Sequence, residues 1–453
     1  MMNKKQLLLL PAILATGILS FSGVLIETAM NVTFPTLCKQ FGTSTANIQW
    51  ITTIYLLTIS IVVPLSTYLF KNVSLKTLFI FSNLMFILGL MIDFFSSSLG
   101  VLLIGRCFQG VATGIALPLM FHIILTYAPL EKRGAMIGIG TLTTSIAPAI
   151  GPTYGGILTV HFTWNLIFLL LIPFILISLG IGVYAIPRQK VEKNTSLDFI
   201  SLVGVAFLFS GLLLFLSSLG DKFAWLYLGM GVLGLAVILF RVKKTETPLV
   251  NLTVLKNKKF DLFLYSFLIC QALLLGISFV LPNFVQIVNG ESAFTAGLIM
   301  IPGAIIGALL QPLSGRLFDR FGPKRPIVAG LGIATVGWTL LLLSLGRFGI
   351  PMLVFCHVIY MIGSGLCYSN LMTMGMNQLT PTLESDGNAL FNTLQQFSGA
   401  VATAVVAMII NTVQQQSASF SKGTIIGSQL SMLVILILLL FSLVGCLRYF
   451  RKR

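Results

Sequence analysis

Three ionisable side chains interrupt long apolar runs of this chain. Glu27 stands in Leu25-Ile26-Glu27-Thr28-Ala29-Met30-Asn31, Asp93 in Met91-Ile92-Asp93-Phe94, and Arg106 in Gly105-Arg106-Cys107-Phe108-Gln109-Gly110. Such groups are costly in an apolar medium and mark proton relays, ion paths or paired structural sites. A carboxyl there can bind and release a proton, and Glu27 is the first choice for a proton carrier. The plainer reading makes it a structural carboxylate bonded to a nearby Thr or Arg. Asp93 falls near the end of its run and reads as an interfacial group before it reads as a second carrier. A membrane Arg must find an acid, a carbonyl or water. Arg106 is expected to modulate a carboxyl, Glu27 first, or to act as a fixed donor. Glu27, Arg106 and Asp93 are thus the proton-coupling set.

A second group is polar but neutral. Asn31, Gln109, Gln271, Asn283, Gln286, Tyr368, Asn392 and Gln396 are the substrate-binding candidates, with Gln395 and Met372 among further soft or polar residues of the same runs. Met and aromatic side chains adapt to varied apolar ligands, although helix packing explains any one of them as well. Pro148-Ala149-Ile150-Gly151-Pro152-Thr153-Tyr154-Gly155-Gly156 combines helix-bending prolines with glycines that let helices approach closely. The three histidines, His122, His161 and His357, share no ligand spacing, so no metal site is expected. The six cysteines form no CxxC pair and read as packing residues. There is no HExxH, no GxxxxGK[ST] and no Gly-x-Ser-x-Gly, so neither enzyme chemistry nor ATP hydrolysis is expected, and no cofactor.

These residues need apolar helices to hold them, and the composition supplies them. Of 453 residues, 28 are Lys or Arg and 12 Asp or Glu, so 9% are charged and 56% apolar. Ordinary soluble domains carry about 25% charge. Mean hydropathy is +0.99. A soluble enzyme, a disordered chain and a coiled coil are excluded, leaving a polytopic membrane protein. Apolar runs predict fourteen spans: 8–33, 46–69, 75–96, 98–122, 134–158, 164–186, 198–218, 224–241, 260–285, 293–315, 325–346, 350–376, 388–412 and 427–447. With the N-terminus in the cytoplasm, 23 basic residues fall inside and four outside, with Arg106 in the membrane. That asymmetry predicts a multi-pass cell-membrane protein with both termini cytoplasmic. The formal charge of +16 is explained the same way, and no nucleic-acid partner is expected. Basic linkers at 187–197 and 242–259 divide the chain into 1–187, a six-span bundle, 188–258, a two-span insertion, and 259–453, a second six-span bundle. The stretch Ser66 to Lys76 and the stretch Gly315 to Lys324 and Arg325 occupy matching places after the second span of each bundle, a sign of an internal repeat.

The motifs resemble those of the major facilitator superfamily. Gly151, Pro152, Gly155 and Gly156 are similar to its antiporter motif, and Arg106, Gln109, Gly110 and Gly114 to its RxxQG motif. Residues 315–325 are similar to its cytoplasmic GxLaDRxGrk loop. Thr28, Asn31, Val32 and Pro35, with Gln49-Trp50, Tyr55, 290–302 and 387–392, resemble the fourteen-span drug:proton antiporters of the EmrB/QacA type. The resemblance implies an all-α fold of two rocking six-helix bundles plus two extra helices. It also implies export of lipophilic, often cationic, drugs against protons by a monomer in the lipid bilayer, and multidrug or antibiotic resistance. In that reading Glu27 carries the proton and Arg106 modulates it. Gly315, Asp319, Arg320, Gly322, Lys324 and Arg325 latch one conformation. The first loop departs from the pattern, with Phe70 where the acid is usual. Two rivals are an exporter of an endogenous lipid or metabolite and a non-transporting membrane receptor.

Overall fold

The computed structural model describes residues 7–43, 45–129, 133–188, 197–219, 222–245 and 252–451. Most of linker 187–197, part of linker 242–259, and Lys4, Lys5, Lys132, Lys190, Lys193, Lys452 and Arg453 of the charge count lie outside the described residues. The described chain is all helix apart from turns and short connections. The first set is α1 (Leu9–Phe41), α2 (Thr45–Ile48), α3 (Trp50–Val62), α4 (Leu65–Asn72), α5 (Leu75–Phe94), α6 (Leu99–Tyr127), α7 (Arg133–His161), α8 (Leu166–Leu169) and α9 (Ile172–Ala185). Next come α10 (Phe199–Ser217) and α11 (Ala224–Lys244), which pack as a hairpin. The last set is α12 (Lys258–Val288), α13 (Ala293–Leu298), α14 (Ile301–Phe321), α15 (Lys324–Ser344), α16 (Ile350–Met376), α17 (Glu384–Gln416) and α18 (Phe420–Arg451).

Among the described residues, twelve helices are long and apolar enough to cross a membrane. The other two predicted runs fold as α3, a shorter apolar helix, and α7, which has 29 residues. The run predicted at 46–69 is not one helix. Pro64 has no N–H to give the helical ladder, so the chain steps from α3 to α4 there, with Ser66 N–H bonding Val63. The same device divides α8 from α9 before Pro173 and α13 from α14 before Pro302. The stretch expected as a loop from Ser66 is helical to Asn72, and 315–321 is the last part of α14. Polarity marks where a helix leaves an apolar medium, not where its i→i−4 bonds stop. Gly322, at φ +79°, ends α14 in a conformation that suits a residue without Cβ.

Within the first set α1 lies against α6, α7 and α9, and α5 against α6. In the last set α16 packs on α14 and α15, and α12 on α17 and α18. The two sets meet along α7 with α13 and α14, and along α3 with α17. Glycines permit these approaches. A Cβ on Gly151 would strike Thr28 and one on Gly155 would strike Ala29, so α7 lies directly on the α1 backbone. The hairpin α10–α11 leans on the second seam, where Phe209 stacks on Phe397 at 4.4 Å. Asp198 closes this hairpin at its open end. Its carboxylate caps α10 by accepting from Ser201 N–H and pairs with Arg241 at 3.0 Å. Burial pushes this carboxyl up, but the Ser201 and Arg241 bonds outweigh it and hold it below the ordinary value.

Candidate functional site

A constricted cavity lies between the two sets, and its walls follow helical spacing. Val24 and Glu27 come from α1, Leu117 and Phe121 from α6, Thr144 and Pro148 from α7. Across from them stand Phe267, Gln271, Leu274 and Leu275 of α12, Tyr368 and Met372 of α16, and Gln395 and Gln396 of α17. Offsets of three, four, seven and eight put each group on one face of its helix, except Gln395 and Gln396, which are neighbours along α17. The cavity encloses about 40 Å³, room for a few waters. Drug-sized ligands need about 300–1,000 Å³, so the two sets must separate for a larger solute to enter.

Glu27 is 3% exposed. It interacts electrostatically with Arg106 and with the Tyr55 phenol. Arg106 is fully buried and held on three sides. Its Nε donates to the Ile51 carbonyl at 3.2 Å, its Nη1 donates to Gln109 Oε1 at 2.7 Å, and its guanidinium lies 4.1 Å from the centre of the Tyr55 ring. Gln109 passes the connection on, because its Nε2 donates to Asp93 Oδ2 at 2.8 Å. Asp93 is therefore not left facing lipid or water. It is fully buried between α5 and α6, against Gly105, although it stands one residue before its helix ends. The short 95–98 connection folds α6 back over it, which sequence position alone does not show. Arg106 Nη2 and Asp93 Oδ1 have no hydrogen-bond partner among the described residues. The RxxQG stretch thus links Arg106 to Asp93 by way of Gln109, and the same cation acts electrostatically on Glu27.

The opposite wall has neutral chemistry. Tyr368 O–H donates to Gln271 Oε1 at 2.5 Å, and Gln395 Nε2 donates to Tyr368 Oη at 2.7 Å. Phe267 stacks on Tyr368 at 4.7 Å. Of the sequence-derived substrate residues, Gln271, Tyr368 and Gln396 line the cavity, and the other five do not. Asn31 accepts from Thr52 and ties α1 to α3. Gln109 serves the Arg106–Asp93 link. Asn283 and Gln286 donate to carbonyls of their own helix, and Asn392 bonds Asn388. Phe121, Thr144 and Phe267 belong to the wall and were missed as site residues, and Gln395, singled out in the sequence only as a further polar residue, joins them. The signal for Phe267 is its place four residues before Gln271 on the same face of α12, whereas Phe121 and Thr144 stand on other helices that only the tertiary packing brings to the wall. His357 is buried on the same side, packed against Gly303, without a hydrogen-bond partner among the described residues.

The residues of the expected latch sit together at the α14–α15 turn. Asp319 is exposed and, among the described residues, has no ion-pair partner, while Arg320 and Arg325 flank the Phe321 ring. At the matching place in the first set, Phe70 stacks on His122 at 4.4 Å instead. Among the described residues no group of three or more His, Cys, Asp or Glu is placed to hold a metal ion.

Buried charge facing a narrow cavity between two sets of membrane-length helices defines a polytopic transport protein. The sequence profile of the Major Facilitator Superfamily matches residues 16–403, and the chain belongs to that family. It is 34% identical over 421 residues to the lincomycin resistance protein LmrB of Listeria monocytogenes serovar 1/2a, covering 91% of this chain and 89% of that one. It is 27% identical over 402 residues to the putative multidrug resistance protein MdtD of Salmonella paratyphi A, covering 86% and 84%. Among solved structures, a POT family transporter in complex with 5-aminolevulinic acid superposes with a TM-score of 0.68 at 15% identity, covering 95% of this chain and 96% of that one. The chain is a multi-pass membrane transporter.

Proposed function

We propose that the protein exports lipophilic, often cationic, drugs across the cell membrane in exchange for protons. The observation that carries this reading is that Glu27 faces the same cavity as Gln271, Tyr368 and Gln396. A proton and a cationic solute would compete for one carboxylate. With drug bound, Glu27 is ionised; with drug gone, it takes a proton, so each solute that leaves admits one proton. Arg106 holds the balance between the two forms, and Asp93 is a second carboxyl that shares its charge through Gln109. The aromatic and thioether wall suits varied apolar drugs. The likeness to a lincomycin resistance protein and a putative multidrug resistance protein supports the cargo class.

The proposed topology has fourteen spans, with α3–α4 and α7 added to the twelve, and both termini in the cytoplasm. Bundles 1–187 and 259–453 rock about the cavity, with 188–258 at their side, in a monomer. The 315–325 turn secures the cytoplasmic closure through Asp319. Dye efflux in sealed vesicles tests the exchange. One proton for one monovalent cation moves no net charge, so nigericin, which collapses the pH gradient, should stop efflux of a cationic dye. Valinomycin with potassium, which collapses the potential, should spare it. The pH gradient supplies about 1.4 kcal/mol per unit. The potential supplies about 2.3 kcal/mol per charge per 100 mV. Strong inhibition by valinomycin would mean a second proton, with Asp93 its first candidate carrier. Efflux indifferent to both would overturn antiport.

A further inference from the structure

Two features outside the central cavity adjoin at the start of α17. One is a groove of about 470 Å³ that holds Lys256, Lys258 and Lys259 beside Gln378 and Thr380. All three lysines are exposed. Among the described residues none of them is paired with a carboxylate, and no acidic residue lines the groove. Asn257 Nδ2, donating to the Gln378 carbonyl at 2.8 Å, ties the groove's two walls together. The other feature is an apolar pocket of about 140 Å³ between the α10–α11 hairpin and α17, walled by Leu208, Phe209, Leu235, Ile238, Ala389 and Leu390, with Asp386 at one edge.

The two share their frame. The 3-10 turn Leu252–Lys256 turns Thr253 and Lys256 to the groove, and Leu252 and Leu255 to the pocket. Along α17 and its approach the groove ends at Leu383, and the pocket begins at Asp386 and runs to Leu394. At 1.5 Å per residue, the eleven steps from Leu383 to Leu394 descend about 16 Å. Unpaired cationic charge at the end of a membrane helix, followed by apolar space one turn deeper, matches an amphiphile with an anionic head and an aliphatic tail. Basic pockets between spans on the cytoplasmic side take anionic lipid head groups. A free anion would use the groove and leave the pocket empty.

We propose that this seam binds an anionic glycerophospholipid of the cytoplasmic leaflet, with its phosphate on Lys256, Lys258 and Lys259 and one acyl chain in the pocket beside α17. The lipid would fasten the two-helix hairpin to the second set. The proposal goes beyond the drug-export reading and borrows from it only the name of the leaflet. The test therefore uses the full chain in detergent, where neither transport nor sidedness enters. Native mass spectrometry would follow retention of added phosphatidylglycerol and phosphatidylcholine. Each lysine near an anionic head contributes a factor of about five in affinity. The K256Q/K258Q/K259Q variant, altered only at exposed positions, should hold phosphatidylglycerol on the order of 100-fold more weakly. K71Q/R448Q/R451Q, with equal charge loss at exposed positions outside the groove, should bind nearly as the natural chain does. A389F, which fills the pocket, should weaken retention, and glycerol phosphate should not displace the lipid at equal concentration. Equal loss in the two triple variants would overturn the site, as would equal retention of the two lipids. Displacement by glycerol phosphate, or retention by a folded A389F equal to that of the natural chain, would overturn the acyl-chain part.

Discussion

The two walls of the cavity differ in kind. The first set of helices buries Glu27, Asp93 and Arg106; Gln109 bridges Arg106 to Asp93, while the Arg106 charge acts on Glu27 without a hydrogen bond among the described residues. The last set presents Gln271, Tyr368 and Gln395, a neutral chain of hydrogen bonds backed by Phe267. A buried charge is costly to leave unpaired, so its protonation state is strongly coupled to its surroundings. A neutral donor or acceptor can exchange one partner for another at a cost of about 1 kcal/mol. In the proposed antiport, one wall would respond to protons and the other would accept ligands of varied shape. The surface repeats the asymmetry, with Phe70 on His122 in the first set against the charged turn around Asp319 in the last.

The contrast is tested most severely at Glu27. Glu27→Gln keeps the shape and removes the titration. Proton-driven dye efflux should fall by at least about 100-fold, the usual loss for a missing proton-transfer group. Equilibrium dye binding should persist, but the protons released on binding to the natural protein should vanish. Normal efflux by this variant would move the proton site elsewhere. Asp319→Asn lies far from the cavity and should act on turnover. Maximal efflux rate should drop about fivefold, within the usual range of a conformational coupling. A pure loss of dye affinity at full rate would refute the assignment.

On the neutral wall the effects should be smaller and of the other type. Tyr368→Phe removes the donor to Gln271 and should weaken dye binding about fivefold. The pH dependence of efflux should be unchanged, and a shifted pH profile would show that the two walls are not separate. Asp198→Asn concerns the hairpin outside both walls. Asn keeps the cap on Ser201 N–H but loses the ion pair with Arg241, which should cost about 0.5 kcal/mol, read as a lower unfolding temperature of the purified protein. The carboxyl is held below its ordinary value in the folded chain, so its stabilisation is complete above about pH 4. It is lost as the pH falls through the lower folded value, and the natural protein and the variant should then converge.

The run of apolar residues, the basic bias of alternate connections and the motifs at 106–110, 151–156 and 315–325 are properties of neighbouring residues. They were enough to predict an all-helical membrane protein and its superfamily, and to single out Glu27 and Arg106, both of which are buried. A helix forms from bonds within its own segment, and an apolar medium demands little more of it than length and apolarity. The placing of polar side chains follows different physics. Asn31, Asn283, Gln286 and Asn392 have the composition of ligand-binding residues, yet they bond to their own or adjacent helices. Asp93 has the sequence position of an interfacial acid, yet α6 covers it. Glu27 and Gln271 share a cavity only because α7 lies on α13 and α14 and α3 lies on α17. Those contacts depend on where glycines let backbones touch and where Pro64, Pro173 and Pro302 redirect a span. Helix formation is local and readable along the chain. Which faces meet depends on packing between segments far apart in sequence, and tertiary structure alone decides it.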